Sequence, residues 1–244
     1  MEFYILLISF FLIAVVYSSV GFGGGTSYLA VMALMGVDFL VMKPAALLCN
    51  IVVVAGGTYI FYKNGKLDLK KILPFIIVSI PMAFLGGFYK LGEGPFFIIL
   101  GIALVTASLL LWFQPQQKEK KMRSSLPLNI GLGAGIGFLS GLVSIGGGIF
   151  LAPVLHLTNW DEAKKISALA SFFILVNSIS GLLGQFAQSV TLDFGFILPL
   201  LAAVLVGGQI GSRLGANKFN PLYIKRITAI LILVAGANIL KDHL

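Results

Sequence analysis

Long apolar runs recur from one end of this chain to the other, at 3–21, 45–62, 72–90, 95–113, 126–143, 166–186, 194–213 and 222–240. As helices, at ~1.5 Å per residue, such runs match the roughly 30 Å hydrocarbon core of a bilayer. Lipid offers no hydrogen bonds, so each crossing segment must satisfy its own backbone, and a helix does so within itself. Only 11% of residues are charged, against about 25% in a soluble domain, and the mean hydropathy is +1.01. No stretch remains for a sizeable soluble domain. The expected fold class is an all-α polytopic membrane protein, its partner the lipid bilayer.

The net charge of +8 does not point to nucleic acid, because the cations lie in short loops between apolar runs and form no extended basic face. They orient the chain instead, since Lys and Arg collect on the cytoplasmic side. Lys63, Lys66, Lys70 and Lys71 mark one inner loop, and Lys118, Lys120, Lys121 and Arg123 a second. Arg213, Lys218, Lys225 and Arg226 mark a third, and Lys164 and Lys165 a fourth. Lys43, Lys90 and Lys241 are left outside, as is the cation-free stretch 185–193. This assignment places both termini outside, with the first apolar run kept as a span. It also requires two short apolar pieces, 26–37 and 149–158, to return across half the bilayer as arms of hairpins.

Each short piece follows a glycine cluster, and the clusters belong to a duplication. "GFGGGTSYLAVMALMGVD" at 21–38 resembles "SIGGGIFLAPVLHLTNWD" at 144–161, and "KPAALLCNIVVVAGG" at 43–57 lines up with "KISALASFFILVNSI" at 165–179. The expected organisation is a first repeat over 1–113, a basic cytoplasmic linker over 114–125 and a second repeat over 126–244. Each repeat holds four long transmembrane helices plus a glycine-broken, short, re-entrant-like helix. An odd number of membrane elements per half turns the second copy upside down, and inverted repeats with broken helices are a hallmark of secondary transporters.

Three adjacent glycines weaken a helix by up to ~1 kcal/mol each and permit positive φ, so Gly23, Gly24, Gly25 and Gly146, Gly147, Gly148 should break their spans. The freed amides need a partner, and irregular backbone at this depth survives only inside protein or beside a cavity. A helix then starts at Thr26 and another at Ile149, each with about half a positive charge at its N-terminus. Together they suit one small anion. Gly133, Gly137 and Gly141 recur every four residues and fit close helix packing better.

Polar residues inside the spans add Cys49, Asn50, Ser171, Asn177, Ser178 and Gln185, each suited equally to ligand contact or to bridging helices. All nine acidic residues fall at span ends or in loops, so no intramembrane carboxylate is available as a proton or sodium relay. His156 reads as a neutral packed residue. A fully dry dianion would face a Born cost of order 20 kcal/mol per unit charge against ~2 kcal/mol per helix end, so the site must stay partly wet. No phosphate loop, metal cluster or nucleophile with a base is evident, so neither an enzyme nor a bound metal or cofactor is expected; an anion channel is the rival to a carrier.

The chain resembles the TauE/SafE sulfite exporter family, also called the 4-toluene sulfonate uptake permease superfamily. The resemblance rests on "VGFGGGTSYLAVMALMGV", on "NGKLDLKK" after "GGTYIFYK", on "SIGGGIFLAPVLHL" and on "ALASFFILVNSISGLLGQ". It implies a transporter of sulfite or organosulfonates in a prokaryotic plasma or inner membrane. It also places binding on Gly23, Gly24 and Gly25 with Thr26 and Ser27, and on Gly146, Gly147 and Gly148 with Ile149. Cys49 and Asn50 align with Ser171 and Phe172, so equal contact from the two halves is not implied.

Overall fold

The computed structural model describes residues 2–19, 21–113, 126–158, 160–188, 190, 192–215 and 221–244, with side chains except at 2, 214, 215, 221–225 and 227. The expected linker, 114–125, lies outside the described residues. Among the described residues there are ten helices and no strand: α1 (Glu2–Ser18), α2 (Gly25–Leu34), α3 (Phe39–Lys63), α4 (Leu69–Phe88), α5 (Glu93–Trp112), α6 (Leu126–Leu142), α7 (Gly148–Leu157), α8 (Ala163–Phe186), α9 (Phe194–Gly215) and α10 (Pro221–His243).

The apolar runs become helices, and the differences lie at their ends. α3 begins at Phe39, ahead of the expected 45, because Asp38 caps it and accepts the Leu40 N–H at 2.7 Å. Asp68 caps α4 in the same way, accepting from the Lys70 and Lys71 N–H groups at 3.1 and 3.3 Å. In α4 the capping carboxylate outweighs the charged look of the first turn. Of the eight long segments expected, five described helices, α3, α4, α5, α8 and α9, are long and apolar enough to cross a membrane. α1 and α6 stop at 17 residues each, where the glycine turns begin.

Helix contacts are made through small residues, as suits a bundle with no hydrophobic drive between helices in lipid. Gly133, Gly137 and Gly141 of α6 lie against the backbone of Phe75, Ser79 and Ala83 of α4, with no room for a Cβ. The repeating glycines of α6 are therefore a packing stripe. Gly207 and Gly211 of α9 meet the backbone of Phe11 and Val15 of α1 in the same manner. Around the outside, Tyr4, Ile8 and Leu12 of α1, Leu73, Ile77 and Phe84 of α4, and Leu198 and Leu205 of α9 stand exposed. In water that surface would be a liability; against acyl chains it is matched.

Exchanging α1–α5 with α6–α10 in order maps the packed pairs onto themselves. The α4–α6 contact becomes α9–α1, α4–α8 becomes α9–α3, α2–α3 becomes α7–α8, and α2–α10 becomes α7–α5, while α3–α8 and α5–α10 are unchanged. One end of the bundle is tied by Asp161, between α7 and α8, whose carboxylate accepts from Lys71 Nζ at 2.7 Å and lies 3.4 Å from Lys165 Nζ. Trp160 beside it packs edge-on to Phe75, with ring centroids 5.9 Å apart. The loops that carry Lys63–Lys71 and Lys164–Lys165 thus share one end.

Candidate functional site

The two glycine turns are built alike. α1 closes with the Phe22 N–H bonded to Tyr17 O at 2.9 Å, and α6 with the Ile145 N–H bonded to Ser140 O at 3.1 Å. Gly21 (φ 85°) and Ser144 (φ 61°) occupy the left-handed position at these ends, where serine carries a strain that glycine does not. Three residues on, Gly24 (φ 90°) and Gly147 (φ 81°) are the N-caps of α2 and α7, again left-handed and with no side-chain cap. The short helices start one residue earlier than expected, at Gly25 and Gly148. An α-helix leaves its first N–H groups without internal partners, so each turn presents free amides under a positive helix end.

Both turns meet at Asn50, near the middle of α3. Its Nδ2 donates to Ile145 O at 3.0 Å, tying α3 to the second turn. Its Oδ1 has no partner and lies against Gly23, where a Cβ would strike it. A Cβ on Gly25 would come within 2.8 Å of Ile145 O, so the turns touch directly. On the opposite wall, a Cβ on Gly146 would sit 2.9 Å from Ser178 Oγ, 2.9 Å from Ile174 Cγ2 and 3.0 Å from Asn50 Nδ2. Glycine is thus required twice over at Gly146, for its φ and for the space in front of it.

Buried polar atoms without partners are rare and call for an explanation. Among the described residues these are Tyr28 Oη, Asn50 Oδ1, Ser140 Oγ, Asn177 Oδ1, Ser178 Oγ and Gln185 Oε1. Four of those six residues abut the glycine turns: Tyr28 at Gly24, Asn50 at Gly23 and Gly25, Ser140 at Gly147 and Ser178 at Gly146. A fifth, Gln185, donates from Nε2 to Ser144 Oγ at 2.9 Å in the second turn. Three of these groups are hydroxyls, and no ionised side chain joins them. Residues 21–30 and 140–153 are buried throughout.

The other sequence candidates divide. Thr26 and Ser27 are in the first turn of α2, but their hydroxyls are engaged by Tyr17 Oη, at 3.4 and 2.6 Å. Ile149 is buried in the first turn of α7. Ser171 bonds Thr58 Oγ1 at 3.0 Å and bridges α3 to α8, and Asn177 turns its Nδ2 to Phe173 O of its own helix at 2.8 Å. Cys49 is fully buried, and His156 is buried in the last turn of α7.

The neighbours of the glycines also correct the register of the repeat in α3 and α8. Asn50 and Val54 stand at Gly23 where Ile174 and Ser178 stand at Gly146, so Asn50 matches Ile174 and not Phe172. Tyr17, Tyr28 and Ser140 are not among the residues the sequence singles out. Their only local signal is position: Tyr17 and Ser140 lie just before each glycine turn, and Tyr28 one helical turn after the first.

The chain matches the family described as sulfite exporter TauE/SafE over residues 6–239. It is 36% identical over 240 residues to a probable membrane transporter protein, y4hK, of Sinorhizobium fredii, covering 96% of this chain and 97% of that one. It is also 24% identical over 271 residues to a probable membrane transporter protein, YunE, of Bacillus subtilis, covering 99% and 98%. No solved structure matches it.

Proposed function

The chain belongs to the sulfite exporter TauE/SafE family and is a membrane transporter, and from that premise we propose that it carries a small sulfur-containing oxyanion, sulfite or an organosulfonate. The anion is held between Gly23–Gly25 and Gly146–Gly148 by the first-turn amides of α2 and α7 and by the hydroxyls of Tyr28, Ser140 and Ser178. The observation that carries this reading is the gathering of the unpartnered hydroxyls of Tyr28, Ser140 and Ser178 at the point where two uncapped helix starts converge. Amide and hydroxyl donors favour an oxyanion in a preformed cradle. The lack of a fixed cation keeps binding weak enough for release.

Transport follows from the pairing of the halves. Residues 1–113 and 126–244 act as inverted repeats, and rocking one against the other exposes the site to each side in turn. The exchange of packed pairs between α1–α5 and α6–α10 supports this, because two equivalent packings give two states of similar energy. The end bearing Lys71, Asp161 and Lys165 faces the cytoplasm of a bacterial cell. Both termini then face outward.

Thermal-shift screening of the purified protein against sulfite, sulfate, thiosulfate and short sulfonates tests the cargo. A ligand present at a hundredfold its dissociation constant adds about 2.7 kcal/mol to stability. Stabilisation by a sulfur oxyanion in wild type, lost in Ser178→Ala with Ser140→Ala, is the expected result. Stabilisation that survives in the double variant would place binding elsewhere.

A further inference from the structure

At the end of the bundle away from the Lys71–Asp161 pair, a cavity of about 370 Å³ opens among Lys43, Lys90, Leu91, Gln185 and Gln188. Lys43 is near the start of α3, Lys90 follows the end of α4, Gln185 lies in the last turn of α8 and Gln188 just beyond it. The three elements run so that their other ends carry Lys63, Lys71 and Lys165. None of the lining residues is acidic, and among the described residues neither lysine has a carboxylate within 4.0 Å.

We propose that this cavity is a receiving site on the outer face, where a small oxyanion docks on the two ammonium groups before it reaches the glycine turns. The inference rests on the oxyanion reading above. Three cations of seventeen, Lys43, Lys90 and Lys241, fall outside the loops assigned to the cytoplasm, against the usual bias. Two of the three line one cavity. Lys43 is only 8% exposed, and its nearest compensation is the face of Phe96, with Nζ 5.4 Å from the ring centroid. A cation–π contact offsets part of the cost of withdrawing an ammonium from water. A bound anion offsets the rest.

Gln185 links the cavity to the turns. It lines the cavity, is 2% exposed and donates from Nε2 to Ser144 Oγ at 2.9 Å. Ser144 precedes Gly146 by two residues. An anion passing from the lysines therefore meets the Gln185 amide first and the second glycine turn next.

The test reads local charge without requiring transport. Leu91→Cys places a thiol on the cavity wall, and Cys49 is buried, so unaltered protein serves as the blank. In right-side-out proteoliposomes the anionic sulfonatoethyl methanethiosulfonate should react faster with this thiol than the cationic trimethylammonium reagent does. Adding Lys43→Gln and Lys90→Gln should cut that preference about tenfold, the scale on which a charged cleft concentrates counter-ions. The apparent KM for sulfite from the same side should rise with it. A reagent preference that is indifferent to the lysines, or labelling from the opposite face alone, overturns the proposal. If wild type carries no sulfite, the transport reading fails while the reagent ratio still decides whether this cavity receives anions.

Discussion

Gly146→Ala puts the smallest possible obstacle into the centre of the site. The backbone there has φ 85°, a conformation that costs an L-residue about 1–2 kcal/mol. The added methyl also sits 2.9 Å from Ser178 Oγ and Ile174 Cγ2 and 3.0 Å from Asn50 Nδ2, and overpacking of that kind adds roughly 1–3 kcal/mol. A loss of about 2–5 kcal/mol in unfolding free energy follows from the two together. The functional loss is separate. The methyl occupies the space in front of the Ser178 hydroxyl, and a hydrogen bond to an ion is worth about 1.5–3 kcal/mol, or roughly ten- to hundredfold in affinity. Gly36→Ala is the matched control, since Gly36 has φ 67° and nothing within 4 Å of a Cβ. It should lose stability by the backbone term alone and transport as wild type does. Thermal unfolding in detergent and flux into proteoliposomes read both effects. Wild-type affinity in Gly146→Ala, or equal transport loss in Gly36→Ala, would refute the assignment of this glycine to the site.

Ser178→Ala should weaken anion binding several-fold while leaving thermal stability unchanged or slightly raised, because the hydroxyl it removes is buried and unpartnered in the free protein; a parallel drop in stability would mark Ser178 as a packing residue. Gly137→Leu should prevent assembly outright, since a side chain there strikes the backbone of Ser79, and monodisperse protein on size exclusion would contradict the α4–α6 stripe. Asp161→Asn should destabilise by about 1.5–3 kcal/mol, the worth of a hydrogen bond to a charged group, as measured by thermal unfolding. Burial alone would raise the Asp161 carboxyl, but the Lys71 ammonium, the Glu162 N–H and Lys165 hold it below the usual aspartate value of 3.8. With the folded value depressed, its contribution is complete above the unfolded value and is lost as pH falls through the folded one. A pH series of unfolding midpoints should therefore show wild type and Asp161→Asn converging only below about pH 4. Midpoints that differ most at acid pH would reverse the sign and sink the argument.

The helices and their breaks could be read from the sequence because both depend on local chemistry. Glycine triplets cannot sustain a helix, and the apolar runs between polar loops had one plausible length scale. The helix starts differ by a few residues where a capping aspartate adds a turn: Asp68 takes in the charged Lys70 and Lys71, and Asp38 takes in Phe39–Met42 ahead of Lys43 and Pro44. Asn50 was legible as a polar residue in a span, but its bond to Ile145, 95 residues away, was not. The choice between Asn177 and Ser178 turns on helix rotation: adjacent residues differ by about 100° around the axis, and only the packing of α8 on the second turn fixes which one faces Gly146. Aligning α8 by its letters put Phe172 opposite Asn50, whereas the contacts of the glycines put Ile174 there. Lys43 and Lys90 read in the sequence as isolated cations, and their meeting at one cavity depends on how α3, α4 and α8 pack.

Counterflow of radiolabelled sulfite in proteoliposomes, run on wild type and on Gly146→Ala, tests the central claim most directly. Two glycine turns that form one site, opened to each side in turn, predict saturable uptake that accelerates when unlabelled sulfite is held inside, with the acceleration gone in Gly146→Ala. Flux that never saturates and ignores the sulfite on the far side would make the path a channel, and acceleration that survives in Gly146→Ala would place the carrier site elsewhere in the bundle.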